Sequence, residues 1–274
     1  PRSTPLYSSA ASDVYKRQIS EFDERGYISI QGLLNEMEVK ILQDAMPDIL
    51  ARTGPEIVRE SDSPETARLA FGPHYYSEPF ARLVQLPRIL QPVRDLLRDD
   101  VYIHQSRLNP KPGFGAGGGW EWHQDFPPWH LIDGMPEPQC IMVSVFIDDC
   151  TPATSPLLAI PGSQHHGLLD SKLHEDAEGR GYALHHIDRA ALAKLADEGG
   201  IEPIMGKAGT VAFVHCNVVH GSANNVSPWR RAISYLNFNA VSNACKSDER
   251  PWYQNNRDFT PLETTADDAL EQLA

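Results

Sequence analysis

Trp120-Glu121-Trp122-His123-Gln124-Asp125-Phe126-Pro127-Pro128-Trp129-His130 is the stretch on which the reading of this 274-residue chain turns. Residues two apart in an extended strand project to the same side. The imidazole of His123 and the carboxylate of Asp125 are therefore expected on one face. A second histidine from another strand would complete a face of two imidazoles and one carboxylate. Such a face fills three positions of an octahedral metal and leaves three open, as in non-haem Fe(II) oxygenases. The candidate is His220, in Cys216-Asn217-Val218-Val219-His220-Gly221-Ser222. Arg231 follows, suited to pair two-pronged with the carboxylate of an organic cosubstrate. On spacing alone, a hydrogen-bonded structural pair is the alternative to a metal site. Two further His-x-Asp pairs, His174/Asp176 and His186/Asp188, lie in polar, charged sequence and are expected to be solvated. The first pair is walled by Trp120, Trp122, Phe126 and Trp129, as a dry pocket would be.

Composition bounds the possibilities. Hydrophobic residues make up 41% and charged residues 22%, ordinary for a globular protein with a real core. Net charge is −13, which argues against nucleic acid or an anionic membrane as partner. No apolar run reaches the roughly 18 residues of a membrane span. Residues 1–18 are Ser/Ala-rich and polar, without the apolar core of a secretory signal, and are set aside as a disordered leader or foreign sequence. Residues 19–274 show no repeat and no linker, and are expected to form a single domain. Four cysteines (Cys140, Cys150, Cys216, Cys245) lack CxxC spacing and suggest reduced thiols in a cytoplasmic protein.

Working outward, Tyr27 to Ile30 reads as a short strand. Asn35 with Glu38 makes a capping box for a helix through Leu50, with Pro47 expected to end or kink it. Residues 54–73 read as a polar loop, and Ser77 starts a second helix interrupted by Pro87 and Pro92. From Val101 the pattern turns to strands: 101–109, the metal-candidate stretch, 141–147, 157–160, 209–214 and 232–239. Between them, 164–200 reads as a polar insert with surface histidines (His165, His166, His174, His185, His186) and a short helix at 190–196. Residues 250–274 read as an acidic tail. Helices followed by many strands imply a mainly β domain of two packed antiparallel sheets with helices on one outer face, a jelly roll with its pocket between the sheets.

Several blocks in this order resemble the phytanoyl-CoA dioxygenase superfamily of Fe(II)/2-oxoglutarate oxygenases, and within it the bacterial ectoine hydroxylases and free-proline hydroxylases. They are Val101 to Asn109 with Lys111-Pro112-Gly113-Phe114, Trp122 to Phe126 with Trp129-His130 and Asp133-Gly134-Met135-Pro136, Ile160 to Ser163, and Cys216-Asn217 through His220-Gly221-Ser222 to Arg231. The resemblance implies a double-stranded β-helix (cupin-like jelly roll) with Fe(II) on His123, Asp125 and His220. It implies 2-oxoglutarate paired with Arg231 and flanked by Trp120, with Ser222, Arg107 and Asn109 beside it. Gln105, Trp129, Ile233 and Tyr235 match substrate-contacting positions. The implied reaction takes O2 and 2-oxoglutarate, releases succinate and CO2, and hydroxylates an unactivated C–H of a small amino acid or derivative, proline-like or ectoine-like. Asp125 speaks against halogenation, because halogenating relatives carry a small residue there. Two alternatives stand beside this reading: another small metabolite or an acyl thioester as substrate, or a non-catalytic binding protein on the same fold. The expected assembly is a monomer or homodimer. Where ectoine hydroxylases continue Trp-His-Ser-Asp-Phe-Glu-Thr-Trp-His, this chain has Gln124, Pro127 and Pro128, and Ile233 replaces an Asn.

Overall fold

Ile141, Val143 and Val145 enter one apolar core while Met142 and Phe146 enter another. The run is apolar throughout because a strand buried on both faces has no water side to alternate with. The computed structural model describes residues 9–60, 63–115, 118–174 and 184–274. In chain order its elements are α1 (Ser9–Arg25), β1 (Tyr27–Ile30), α2 (Glu36–Leu50), β2 (Ile57–Arg59), β3 (Ala67–Phe71), α3 (Pro73–Tyr76), α4 (Glu78–Leu83), α5 (Pro87–Leu97), β4 (Val101–Asn109), β5 (Trp120–His123), α6 (Phe126–Leu131), β6 (Cys140–Phe146), β7 (Leu157–Ala159), β8 (Ser171–His174), β9 (Leu184–Ile187), α7 (Arg189–Gly199), β10 (Glu202–Ile204), β11 (Val211–His215), β12 (His220–Ser222) and β13 (Ile233–Ala240).

The strands form two antiparallel sheets, ordered β1-β11-β6-β13-β4-β3-β2 and β10-β7-β12-β5-β9-β8. Met142, Phe146, Ile233 and Tyr235 of the first meet Leu157, Ala159 and Ile204 of the second, so a core lies between the sheets, as a double-stranded β-helix requires. The outer face of the first sheet is covered by α2, α4 and α5 through Leu42, Met46, Phe80, Leu83, Leu90 and Val93. Among the described residues no helix is long and apolar enough to cross a membrane.

The capping box forms as expected: Asn35 Oδ1 accepts from Glu38 N at 3.1 Å and the Glu38 carboxylate accepts from Asn35 N at 2.9 Å. Pro47 stays inside α2, which runs three residues further. Pro87 divides the second predicted helix, because Leu86 before it is held extended.

Five expectations are corrected. The 54–73 loop contains β2 and β3, disguised by charges that pair with each other inside the fold (Arg68 with Glu60 at 2.9 Å). The 164–200 insert supplies β8 and β9 to the second sheet, with His186 opposite His123 in register. His185 is buried there, whereas His165 and His166 are exposed as expected, and Asp176 lies outside the described residues. Helix α7 packs Leu195 against Ile187 and Val219, so helices are not confined to one outer face. The tail is not peripheral, since Ala269 and Leu270 join the main core. Finally, α1 begins at Ser9, inside the segment set aside as a leader, while residues 1–8 lie outside the described residues.

Candidate metal centre and active site

Strand pairing brings the two histidines together. His220 on β12 is directly opposite His123 on β5, and their ring centroids are 4.3 Å apart. Each ring is pinned the same way: Nδ1 of His123 lies 2.6 Å from Glu121 O and Nδ1 of His220 lies 2.9 Å from Val218 O. A carbonyl only accepts, so each Nδ1 carries the proton and each Nε2 presents a lone pair. Asp125 joins them by a different route from the one expected. It sits just beyond β5 in helical backbone, at the start of α6, and its N–H is bonded to Cys216 O at 3.1 Å. The turn out of the strand, rather than strand alternation, swings its carboxylate beside the rings. Its oxygens lie 3.7 Å from His123 Nε2 and 4.0 Å from His220 Nε2. The three side chains are buried, and one donor atom from each lies within 4.8 Å of the others.

Electrostatics favour this set as metal ligands. Burial, and then His220, push the His123 imidazole down to about 3, so it is neutral and ligand-ready at physiological pH. Burial pushes the Asp125 carboxyl up, but Arg107 and the two histidines outweigh it and hold the group below its ordinary range. Arg107 Nη2 is 3.2 Å from both Asp125 oxygens.

Two cavities meet at the cluster, and His123 and Arg107 line both. One is bounded by Asn109, Trp120, His220, Ser222 and Tyr235. Next to these residues is Arg231, fully buried, with Nε 3.2 Å from Ser155 O and Nη1 3.2 Å from Asn109 Oδ1 and 3.4 Å from Tyr235 OH. Its Nη2 is buried and, among the described residues, has no hydrogen-bond partner. An orphaned guanidinium nitrogen of this kind fits a carboxylate ligand. Trp120 is stacked by Arg68, whose guanidinium carbon lies 4.1 Å from the ring centroid.

The second cavity is bounded by Phe71, Gln105, Trp129, Arg250 and Gln254. Gln105 Nε2 donates to Gln254 O at 2.8 Å. A bulge in the β4–β13 pairing leaves His104 without a register partner; its ring meets Trp129 edge to face at 5.3 Å and its Nε2 lies 3.2 Å from Asp133 Oδ2.

Most predicted positions thus fall on one cavity or the other: Arg107, Asn109, Trp120, Ser222 and Tyr235 on the first, Gln105 and Trp129 on the second. Tyr235 lines the first cavity, with its hydroxyl 3.4 Å from Arg231 Nη1. Ile233 is fully buried in the core between the sheets and lines neither cavity. Two residues were missed. Lys111 is 1% exposed and donates from Nζ to Ser222 Oγ at 2.7 Å, and burial, then Arg231 and Arg68, push its amine down to about 6. The signal was available: a lone lysine in the Gly/Pro-rich approach to the metal strand. Arg250 is held by the buried Asp133, with Nε 2.7 Å from Oδ1 and Nη2 against Oδ2. It came from a segment read as tail.

The phytanoyl-CoA dioxygenase (PhyH) family profile matches residues 22–233. An ectoine dioxygenase of Sphingopyxis alaskensis is 38% identical over 271 residues, covering 92% of this chain and 87% of its own. An L-proline trans-4-hydroxylase of Streptomyces griseoviridis is 33% identical over 245 residues, covering 86% and 91%. Crystal structures of EctD from S. alaskensis, one with 2-oxoglutarate and 5-hydroxyectoine and one with bound Fe, match with TM-score 0.80, at 36% and 35% identity, over 97% of this chain and 89% of theirs.

Proposed function

The chain belongs to the phytanoyl-CoA dioxygenase family, and from that premise we propose that His123, Asp125 and His220 hold the ferrous ion of an amino-acid hydroxylase. The protein is an Fe(II)- and 2-oxoglutarate-dependent dioxygenase. The observation that carries the ligand assignment is the convergence of two Nε2 lone pairs, fixed by their Nδ1 bonds, on one buried carboxylate. Iron and 2-oxoglutarate, when bound, supply the oxidation: O2 is consumed, the keto acid becomes succinate and CO2, and one oxygen atom enters an unactivated C–H bond.

The chain's own residues bind, orient and keep the site dry. Arg231 and Lys111 take the far carboxylate of 2-oxoglutarate, with Ser222 between them and Trp120 and Tyr235 as walls. Arg107 holds the ligand carboxylate of Asp125 in place. Asn109 orients the Arg231 fork through its Oδ1. Asp125 keeps the third protein ligand position filled, which favours hydroxylation over halogenation.

The second cavity takes the substrate. Trp129 offers an apolar ring surface, Gln105 an amide, and Arg250 a cation for a carboxylate, with Asp133 occupying its Nε and Nη2 and leaving Nη1. An amide, an indole and a guanidinium suit a small zwitterion, as do the relatives that act on ectoine or free proline. The cations near the centre, Arg68, Lys111 and Arg231, are buried inside it rather than spread on an entrance, which favours a small substrate over an acyl thioester. Residues 19–274 are taken as one catalytic domain, monomeric or homodimeric, without nucleic-acid or membrane partners. Its four buried free thiols suit the reducing cytoplasm.

The test is succinate release across a panel of free amino acids and derivatives, including proline, pipecolate and ectoine. A proline-like or ectoine-like compound is expected to stimulate release well above the substrate-free rate. Stimulation by acyl thioesters alone, or by nothing in the panel, would overturn the substrate class.

A further inference from the structure

We propose that Asn225 is a positioning residue that holds the two cations of the cosubstrate pocket together; the inference rests on the assignment of Lys111 and Arg231 to the far carboxylate of 2-oxoglutarate. Asn225 is fully buried and touches neither cavity. Its Nδ2 donates to Lys111 O at 3.1 Å and to Trp229 O at 2.7 Å, and its Oδ1 accepts from Ser227 N at 3.1 Å and Ser227 Oγ at 2.8 Å. The same Lys111 carbonyl accepts the backbone N–H of Arg231 at 3.1 Å. One carbonyl, belonging to one cation, is therefore the meeting point of the other cation's backbone and the Asn225 amide.

Three features make this junction depend on Asn225. Burial, then Arg231 and Arg68, depress the basicity of Lys111, and once its amine is protonated beside the bound dianion the two cations repel each other. Lys111 has φ of 30°, a conformation that a residue with a Cβ keeps only when its surroundings hold it. The loop that must do the holding is not anchored by apolar burial, because Val226 is 76% and Trp229 65% exposed. Its anchor is polar: the Asn225 amide, helped by Gly115 N to Asn225 O at 2.6 Å and Phe114 N to Ser227 O at 2.7 Å. Without the two Nδ2 donations, Lys111 is free to leave the left-handed conformation, and Nζ leaves Ser222.

Asn225→Asp is the informative variant, since it keeps the shape and the two acceptor bonds to Ser227 but removes both donations. The readouts are the Kd of 2-oxoglutarate, by anaerobic calorimetry on the Fe(II) protein, and the KM values for both substrates. Expected is a rise of about tenfold in the Kd and KM for 2-oxoglutarate, with kcat and the amino-acid KM held within about twofold. Ser227→Ala should stay near wild type. In a double-mutant cycle, Asn225→Asp should add almost nothing to Lys111→Met, because both remove the same contact. If Asn225→Asp does not fold, Asn225→Ser, which keeps one hydroxyl donor, carries the same test with a smaller rise. Wild-type affinity in Asn225→Asp, a full multiplicative effect in the double variant, or parallel loss of kcat and both KM values overturns the positioning role. An unchanged 2-oxoglutarate Kd in Lys111→Met overturns the underlying cation assignment instead.

Discussion

Replacing Arg231 by Ala tests the cosubstrate site most directly. The guanidinium is fully buried, and three contacts at 3.2–3.4 Å fix its Nε and Nη1, so Nη2 is aimed without further ordering cost. Leaving one member of a buried, hydrogen-bonded charge pair without its partner costs about 3–5 kcal/mol. Lys111 remains beside the same carboxylate and retains part of this, so a loss of about 2–4 kcal/mol is expected, roughly 30- to 900-fold in the requirement for 2-oxoglutarate. The loss should fall on the KM for 2-oxoglutarate and spare the amino-acid KM, because Arg231 is not among the residues that line the cavity proposed for the substrate. Removing Arg231 also strands Asn109 Oδ1 and Ser155 O, so a drop of about 1–3 kcal/mol in stability is expected and kinetics belong well below the melting temperature. Arg231→Lys keeps the charge without the fork and should lie between alanine and wild type. Succinate release against 2-oxoglutarate concentration, at saturating amino acid, is the assay. A folded Arg231→Ala protein whose 2-oxoglutarate KM stays within about threefold of wild type would refute the reasoning and assign the carboxylate to another cation.

Asp125→Asn should reduce iron binding and turnover to background while circular dichroism is unchanged; retained hydroxylation removes Asp125 from the ligand set. Arg250→Ala should raise the amino-acid KM by about tenfold or more and leave the 2-oxoglutarate KM alone, and equal effects on both would detach Arg250 from the substrate cavity. Lys111 gives a pH dependence. Its amine is pushed from the ordinary 10.5 down to about 6 by burial, Arg231 and Arg68. Between those values the unfolded chain binds the extra proton, so this residue's contribution to stability rises with pH across that window. Near pH 8 the amine is neutral until a dianion arrives. Binding of 2-oxoglutarate should therefore take up a proton, seen as a calorimetric heat that varies with buffer ionisation enthalpy, and a buffer-independent heat would exclude it.

That His123, Asp125 and His220 come together was legible in the sequence because its signals are local or repeated: an aromatic-walled His-x-Asp, a β-prone segment ending in His220, and a following Arg. The mainly β architecture was legible for a similar reason, since strands buried on both faces leave continuous apolar runs such as 141–147. What escaped is non-local pairing of charges. Glu60 and Arg68 read as loop because each looks solvated alone, yet they meet inside the fold and carry β2 and β3 with them. Lys111 stood in the sequence only as part of a resembling block, with no role of its own, and only the fold shows its amine at Ser222 and its carbonyl at Asn225. Arg250 and Gln254 were read as tail because nothing periodic marks them; their order comes from Asp133 and Gln105, more than a hundred residues earlier. The bulge at His104 cannot be read from alternation at all, because it breaks the register of β4 and β13.

The division of the site between two kinds of backbone bears on how its substrate is chosen. Of the proposed iron ligands, His123 and His220 are fixed by strand pairing as a register pair, and Asp125 is held at the start of α6 by its backbone bond to Cys216. Arg107, Asn109 and Tyr235 stand on β4 and β13, strands buried along their whole length. The cavity proposed for the substrate instead takes Trp129 from the short α6 and Arg250 and Gln254 from an irregular segment, held there by Asp133 and Gln105. Pro127 and Pro128 stand in α6, and Pro128 lines the second cavity, so changes there bear first on that cavity, although Asp125 caps the same helix. Ile233 is fully buried in the core between the sheets and is not among the residues that line either cavity. An exchange of residues 126–129 and 250–254 between this chain and an ectoine- or proline-hydroxylating relative should move amino-acid preference while leaving 2-oxoglutarate affinity within about twofold. Substituting Ile233 alone by Asn should not move that preference. A preference that followed Ile233→Asn instead would place specificity in the core between the sheets rather than at α6 and residues 250–254.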